Sequence, residues 1–152
     1  MNIKLANSND APTLAELRYR FRSITDADQE SEADFLERCT SWMSQRLRSE
    51  NWICWVAKED QDIIGTLWLE LIEKIPNPTN EPELNAYVTN VFVDESARGK
   101  GIGSQLLETA IEFCKQRKIH SMILWPSEMS RSLYQRHGFN VSERLFELNL
   151  TT

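Results

Sequence analysis

Apolar and polar residues follow two different periods along the chain, one typical of strands and one of helices. The segment MNIKLA predicts a first strand. SNDAPTLAELRYRFRSI predicts a helix, because cap-type residues and Pro12 precede Leu14, Leu17 and Phe21 at helical spacing. A second helix is predicted from about Glu32 to Leu47, where apolar side chains recur on one stripe. The chain therefore begins as a strand and two helices.

The middle of the chain predicts strands instead. NWICWVAKEDQDIIGTLWLELI contains two β-rich runs around the polar tetrad Glu59–Asp62, as in a hairpin. EKIPNPTNEPE has three prolines, so it is predicted to be a loop. AYVTNVFV has high β propensity and ends shortly before SARGKGIGS, residues 96–104, where three of the five glycines lie within five positions.

The second half alternates again between the two periods. A helix should begin at the glycine cluster, because an apolar stripe follows it: Ile102, Leu106, Leu107, Ala110, Ile111 and Cys114. IHSMILW predicts a strand, SEMSRSLYQRH a short helix between Ser127 and Gly138, and FNVSERLFELNL one long or two short final strands. We see no repeat and no second domain, so residues 1–152 are predicted to form a single domain.

Composition narrows the class of protein. A chain of 152 residues with 41% hydrophobic content can bury a substantial core, and its net charge of −6 disfavours nucleic acid as a partner. Apolar runs fall far short of the roughly 20 residues of a membrane span, and residues 1–10 show no leader, so we expect a cytoplasmic protein with no membrane partner. Cys39, Cys54 and Cys114 are odd in number and far apart, which predicts reduced thiols and no metal site.

The glycine cluster lies between a predicted strand and a predicted helix, where free backbone N–H groups and the helix dipole favour an anion such as phosphate. The Walker pattern does not fit, because Asp94 lies six places before Lys100 and Gly101 follows it. The dinucleotide fingerprint does not fit either, because Ser104 stands where its last glycine is needed.

A different pattern does fit: Arg98-x-x-Gly101-x-Gly103 after VTNVFVDES, followed by LYQRHGF. With these two motifs the chain resembles the GNAT-type N-acetyltransferase family, strongly over residues 86–140 and in element order over its whole length. The resemblance implies a GNAT-like α/β fold: a mixed, mostly antiparallel sheet of six to seven strands, about four flanking helices and a splay between the two central strands. It also implies acetyl-coenzyme A as cofactor.

The resemblance implies which residues bind that cofactor. The strand would lie along the pantetheine arm, the glycine turn would hold the pyrophosphate where side chains would obstruct it, and one face of the short helix would meet the cofactor. The implied residues are Val91, Phe92, Val93, Arg98, Gly99, Lys100, Gly101, Ile102, Gly103, Ser104, Ser127, Arg131 and Tyr134. The alternative is a helix start that binds no ligand.

The short helix is predicted to have two faces under helical periodicity. Ser127, Ser130 or Arg131, and Tyr134 share the face that would meet the cofactor, and a second set should pack inward: Met129, Leu133 and His137. The resemblance makes Tyr134 the general acid that protonates the departing thiolate, and its alternative is a core aromatic.

An amine acceptor would then attack the acetyl group directly, with a backbone N–H near Val91 stabilising the oxyanion. Cys114 lies on an apolar stripe, so it is predicted to be core and not an acyl carrier. Glu70, on a strand face with Thr66 and Trp68, is the candidate base, and its alternative is a solvated strand residue. Asn90 should share a face with Val88 and Phe92, either at the acceptor site or as a hydrogen-bonded interior residue.

The acceptor itself stays open between a small molecule and a peptide amine. DADQESEAD, from Asp26 to Asp34, holds five acids in a connection that overlies the acceptor site in the resembled family, so it could attract a cationic acceptor. The same acids could simply favour the start of the second helix. A non-catalytic acyl-coenzyme A sensor is the alternative function, and a homodimer is left open.

Overall fold

A five-stranded mixed sheet forms the centre of the structure, with the strands in the order β1-β2-β3-β4-β5. The computed structural model describes residues 1–22 and 29–151. The strands are β1 (Asn2–Leu5), β2 (Trp52–Glu59), β3 (Asp62–Glu73), β4 (Leu84–Val93) and β5 (Met122–Ile123). The first four pair antiparallel in succession, and β5 lies parallel to β4.

Helices cover both faces of this sheet. The ranges are α1 (Ala11–Arg22), α2 (Glu32–Leu47), α3 (Ile102–Gln116) and α4 (Arg131–Arg136). One core cluster joins α1 and α2 to the sheet through Leu14, Met43 and Trp68. The other joins α3 and α4 to the opposite face, with Leu106 and Tyr134 among its buried members. This mixed α/β layering around a single sheet confirms the predicted fold class.

Most element boundaries follow the sequence patterns. The predicted hairpin is confirmed, because β2 and β3 meet at a turn over residues 60–61, and the proline-rich segment 74–83 contains no strand. The second helix has the predicted bounds. Its N-cap is Ser31, whose hydroxyl accepts a hydrogen bond from the Asp34 backbone N–H at 3.2 Å.

A β-bulge interrupts β4 where it passes β3. Thr66 pairs with Phe92 and Trp68 with Thr89, so β4 contains one extra residue at this point, and Asn90 has a positive φ of 52°. Val88 packs in the core beneath α3, whereas Phe92 packs on the α1 side. The prediction that Asn90 shares a face with Val88 and Phe92 is therefore wrong for Val88, because simple alternation ends at the bulge.

The prediction of six to seven strands is also wrong, because the sheet has five. IHSMILW forms a strand only at Met122–Ile123, and residues 140–151, where the final strands were predicted, contain none and are exposed. The alternating pattern is present in this segment. A strand also needs a partner edge, and within the described residues the segment pairs with none.

The strands β4 and β5 diverge almost as soon as they meet. They pair at Ala86–Met122 and Tyr87–Ile123, after which β4 continues to Val93 and no described strand pairs with it on that side. The predicted splay is thus present, but it lies between β4 and the edge strand rather than between two central strands. No helix in the described ranges is long and apolar enough to cross a bilayer.

Candidate active site

The glycine turn combines left-handed backbone with open space. Gly99 and Gly101 have φ values of 80° and 78°, which other residues adopt at a cost, and a Cβ at either position would meet no atom within 4 Å. Gly103 has no such φ. A Cβ there would lie 3.5 Å from Leu133 Cδ2, so this glycine faces the neighbouring helix α4. The first two glycines thus leave room for a ligand beside the turn.

The turn opens α3 without a side-chain cap. Gly101 is the N-cap residue and makes no side-chain hydrogen bond, so the amides of the first turn, Ile102 to Ser104, need acceptors from outside the helix. Arg98 lies beside them and donates its Nε–H to the Val93 carbonyl at 3.1 Å, while Lys100 is exposed. The nearby carboxylate of Asp94 accepts from the Ser96 hydroxyl and amide, which lower the pKa of Asp94. The turn therefore offers amides and two cations to an anion.

Beside β4 lies the space that β5 leaves open after Tyr87, which we call the gap. The direction of the backbone groups along β4 decides which residues face it. The Asp94 N–H donates to Ile64, and the Thr66 hydroxyl donates to the Asn90 carbonyl, so these groups point toward β3. Because backbone groups alternate in direction along a strand, those of Val91 and Val93 point into the gap that β5 leaves. The backbone groups of Phe92 point toward β3, and its ring packs edge-on against Phe21. Two of the three predicted strand residues thus present their backbone to the gap.

The short helix is organised differently from the prediction. Ser127 caps a 3-10 turn, with its Oγ 2.8 Å from Ser130 Oγ, and Arg131 is exposed with its Nε 3.6 Å from Glu128. Met129, predicted to pack inward, is 92% exposed. The prediction of two continuous faces is wrong here, because a 3-10 turn over residues 128–130 precedes α4 and breaks the 3.6-residue period.

Tyr134 lies in the core beside α3, 8% exposed, with its ring centroid 5.8 Å from that of Phe139. Burial raises the pKa of its phenol. The hydroxyl makes no hydrogen bond to another residue of the described chain. Its neighbour Leu133 contacts the start of α3 at Gly103, so α4 is held against the glycine turn.

A cavity of about 400 Å³ lies on the other face of β4, between the sheet and the helices α1 and α2. Asn90 and Thr89 of β4 form its floor together with the neighbouring strands. Five aromatic residues supply much of its wall: Phe35, Trp42, Trp52, Trp68 and Tyr87. The cavity is thus mainly aromatic and opens beside the bulge in β4.

Arg18 is a residue of this cavity that the sequence analysis missed. Its Nη1 donates to the Asn90 side-chain oxygen at 3.0 Å, which connects α1 to the bulge. Burial, followed by the nearby charge of Arg22, lowers the pKa of Arg18. The signal was present in the sequence, because Arg18 follows the buried Leu14 by one helical turn and so interrupts the apolar stripe.

The acidic residues predicted to act in the site do not, where they are described, line the aromatic cavity. Glu70 is half-buried on β3, opposite Trp52 and Tyr87, and lines a smaller neighbouring cavity with Trp52. Asp26 lies outside the described residues. Of the acids in that segment that are described, Glu30 pairs with Arg38, and Glu32 and Asp34 form the first turn of α2. These positions fit the helix-start interpretation of the acidic segment.

Comparison with known proteins identifies the family. A family model described as Acetyltransferase (GNAT) family matches residues 14–139. The chain belongs to the GNAT acetyltransferase family. The motifs in residues 98–103 and 133–139 that suggested the resemblance lie within the matched range, and that prediction is confirmed.

Relatives and a solved structure agree with this membership. YhfO of Bacillus subtilis (strain 168), an uncharacterized N-acetyltransferase, is 27% identical over 91% of this chain and 89% of its own. The glucosamine 6-phosphate N-acetyltransferase of Trypanosoma brucei brucei is 34% identical over 42% of this chain and 44% of its own. A predicted acetyltransferase from Clostridium acetobutylicum, crystallised with acetyl-CoA, is 29% identical with a TM-score of 0.79, covering 98% of this chain and 96% of that one.

As a GNAT enzyme, the protein is an N-acetyltransferase with acetyl-coenzyme A as co-substrate. The geometry fits that molecule: the turn at residues 98–104 has open space, uncapped amides and two cations for a diphosphate, and β4 has a free edge for an amide-bearing arm. Among the described residues, no cluster of three metal-ligating side chains exists.

Gly101→Ala should weaken acetyl-coenzyme A binding, and Gly138→Ala supplies a matched control. Both glycines have positive φ and open space around the Cβ position, so both variants should lose similar intrinsic thermal stability. Only Gly101 lies in the turn, so only its variant should bind acetyl-coenzyme A about tenfold more weakly or worse, a loss of ~1.4 kcal/mol. Calorimetric titration and the ligand-induced rise in Tm measure this. An unchanged Kd in Gly101→Ala would mean that the diphosphate binds elsewhere.

Proposed function

We propose that the protein transfers an acetyl group from acetyl-coenzyme A directly to a primary amine of a small-molecule or peptide acceptor. The observation that supports this is the meeting of two spaces at one stretch of β4. The gap lies along the edge of β4 at Val91, and the aromatic cavity, with Asn90 among its lining residues, lies over one face of the same stretch. An acceptor in the cavity would thus approach a thioester in the gap at the bulge.

The chain's own groups can assist this transfer. Acetyl-coenzyme A supplies an activated acetyl group as a thioester. The Val91 N–H, which faces the gap, would donate a hydrogen bond to the carbonyl oxygen as negative charge develops there. The cavity would orient the amine, which attacks the carbonyl carbon while the carbon–sulfur bond breaks. The amine loses a proton, and the thiolate gains one.

Tyr134 is the proposed donor of that second proton. Because burial raises the pKa of its phenol, the hydroxyl keeps its proton throughout the neutral range. Its position on α4 supports this role, because the preceding residue, Leu133, lies close to Gly103 in the turn that we propose for the diphosphate. A proton donor and a cavity for an acceptor both favour a transferase over an acyl-coenzyme A sensor, which would need neither.

The cysteines support direct transfer rather than an acyl-enzyme. Burial raises the pKa of Cys114 to about 11, that of Cys54 well above its ordinary value, and that of Cys39 as well. A thiol is nucleophilic as its thiolate, so these three remain poor nucleophiles near neutral pH. Cys114 also lies on the buried face of α3, within the core, as the sequence predicted.

Glu70 is the proposed acceptor of the amine proton, through a water molecule. It is half-buried and pairs directly with Tyr87 of the adjacent strand, whose side chain lines the aromatic cavity. Because Glu70 itself is not among the residues that line this cavity, a water molecule would connect its carboxylate to the amine. In the part of the chain that the structure describes, no acidic residue lines the aromatic cavity itself.

Tyr134→Phe should lower kcat by ~10²-fold, the typical effect of losing a positioned general acid, with little change in the Kd for acetyl-coenzyme A. Thiol release with a panel of amines, together with mass spectrometry of the product, measures the transfer. The wild-type rate should not fall with rising pH until above about 10, the ordinary tyrosine pKa, because the protonated phenol is the active form and burial raises its pKa. Tyr19→Phe is the control and should be unaffected. Equal turnover in wild type and Tyr134→Phe would assign Tyr134 a packing role alone.

Glu70→Gln should lower kcat/KM for an alkylamine by at least about tenfold near pH 7, where such an amine with a pKa of about 10 is protonated. The defect should shrink as pH approaches 10, because the free amine then needs no base. Glu73→Gln, at the exposed end of the same strand, is the control. A defect that is equal at all pH values would contradict a role for Glu70 as base.

A further inference from the structure

The charges around the aromatic cavity are unbalanced. Two arginines line it, and none of its described lining residues is acidic. The Arg38 guanidinium pairs with Glu30, which neutralises it. Arg18 instead donates to the neutral amide of Asn90 and has no carboxylate partner within residues 1–22 and 29–151. A half-buried cation without a counter-charge is costly, so this position favours an anionic ligand.

The residues that line the cavity also include one buried hydrogen-bond donor without an acceptor. Trp68 is 2% exposed, and its indole Nε1 has no hydrogen-bond partner in the described part of the chain. Its ring packs with those of Trp42 and Trp52, with centroids 6.1 and 6.3 Å away. The lining of the cavity therefore combines a cation without a counter-charge, an indole N–H without an acceptor and a large apolar aromatic surface.

We propose that the acceptor is an apolar amine of the α-amino acid class, whose carboxylate pairs with Arg18 while its side chain lies against Trp42, Trp52 and Trp68. This rests on the proposed function. Arg18 contacts Asn90, and Asn90 directly precedes Val91, the residue that faces the gap. The anionic group must therefore lie close to the reacting amine, as it does when both are attached to one carbon. This acceptor differs from the cationic one that residues 26–34 suggest, because a polyamine would place positive charge beside Arg18.

Three amines of the same shape test this acceptor class: phenylalanine, phenylalaninamide and 2-phenylethylamine, with spermidine as the cationic comparison. Wild type should prefer phenylalanine by at least about tenfold in kcat/KM. Arg18→Met should lower kcat/KM for phenylalanine by ~10²-fold, as expected when one partner of a buried charge pair is removed. It should change kcat/KM for 2-phenylethylamine only a few-fold. Arg20→Met, on the exposed side of the same helix, should change neither.

Quenching of tryptophan fluorescence by phenylalanine, in the presence of coenzyme A, reports binding apart from chemistry. Binding in wild type that Arg18→Met abolishes supports the anion site even if no acetyl transfer occurs, a result that would count against the proposed function alone. Transfer to 2-phenylethylamine or spermidine in preference to phenylalanine would overturn the anion site and leave the transferase intact. Failure of phenylalanine both to bind and to react would also overturn it.

Discussion

The early separation of β4 from β5 is the constraint on which the rest of the site depends. After Tyr87, no strand within the described residues pairs with β4 on one side, although its backbone N–H and C=O groups there still require hydrogen-bond partners. An amide-bearing ligand can supply them in the manner of an added strand. The glycine turn follows the same strand within six residues of Val93, so the free edge and the uncapped helix start form one continuous surface. In the proposed site, acetyl-coenzyme A would be bound by backbone groups at both places, so few charged side chains would be required.

The bulge at Asn90 changes the direction in which the side chains of β4 point. Before it, Val88 packs beneath α3, and after it the direction of the side chains reverses, so Asn90 points toward Arg18 on α1. This places a side chain of the cavity next to a backbone group of the gap. The cavity and the gap are therefore lined by two consecutive residues, Asn90 and Val91. The charge of Arg18 lies close to the proposed reaction point. Acceptor choice in this protein would then depend on α1 and the bulge more than on the acidic segment.

The sequence by itself determined the local elements and the cofactor motif. Helical and strand periods depend on neighbouring residues, so α2, the β2–β3 hairpin and the start of α3 could be predicted, and positive φ at Gly99 and Gly101 is a property of the turn. The tertiary structure decided what depends on distant partners. A bulge arises from the register between β3 and β4, so the face of Asn90 could not be read from alternation. Arg18 became a residue of the cavity because α1 packs over that bulge. The terminal segment has the pattern of a strand, but a pattern does not supply the edge with which a strand must pair, and the described chain leaves it unpaired.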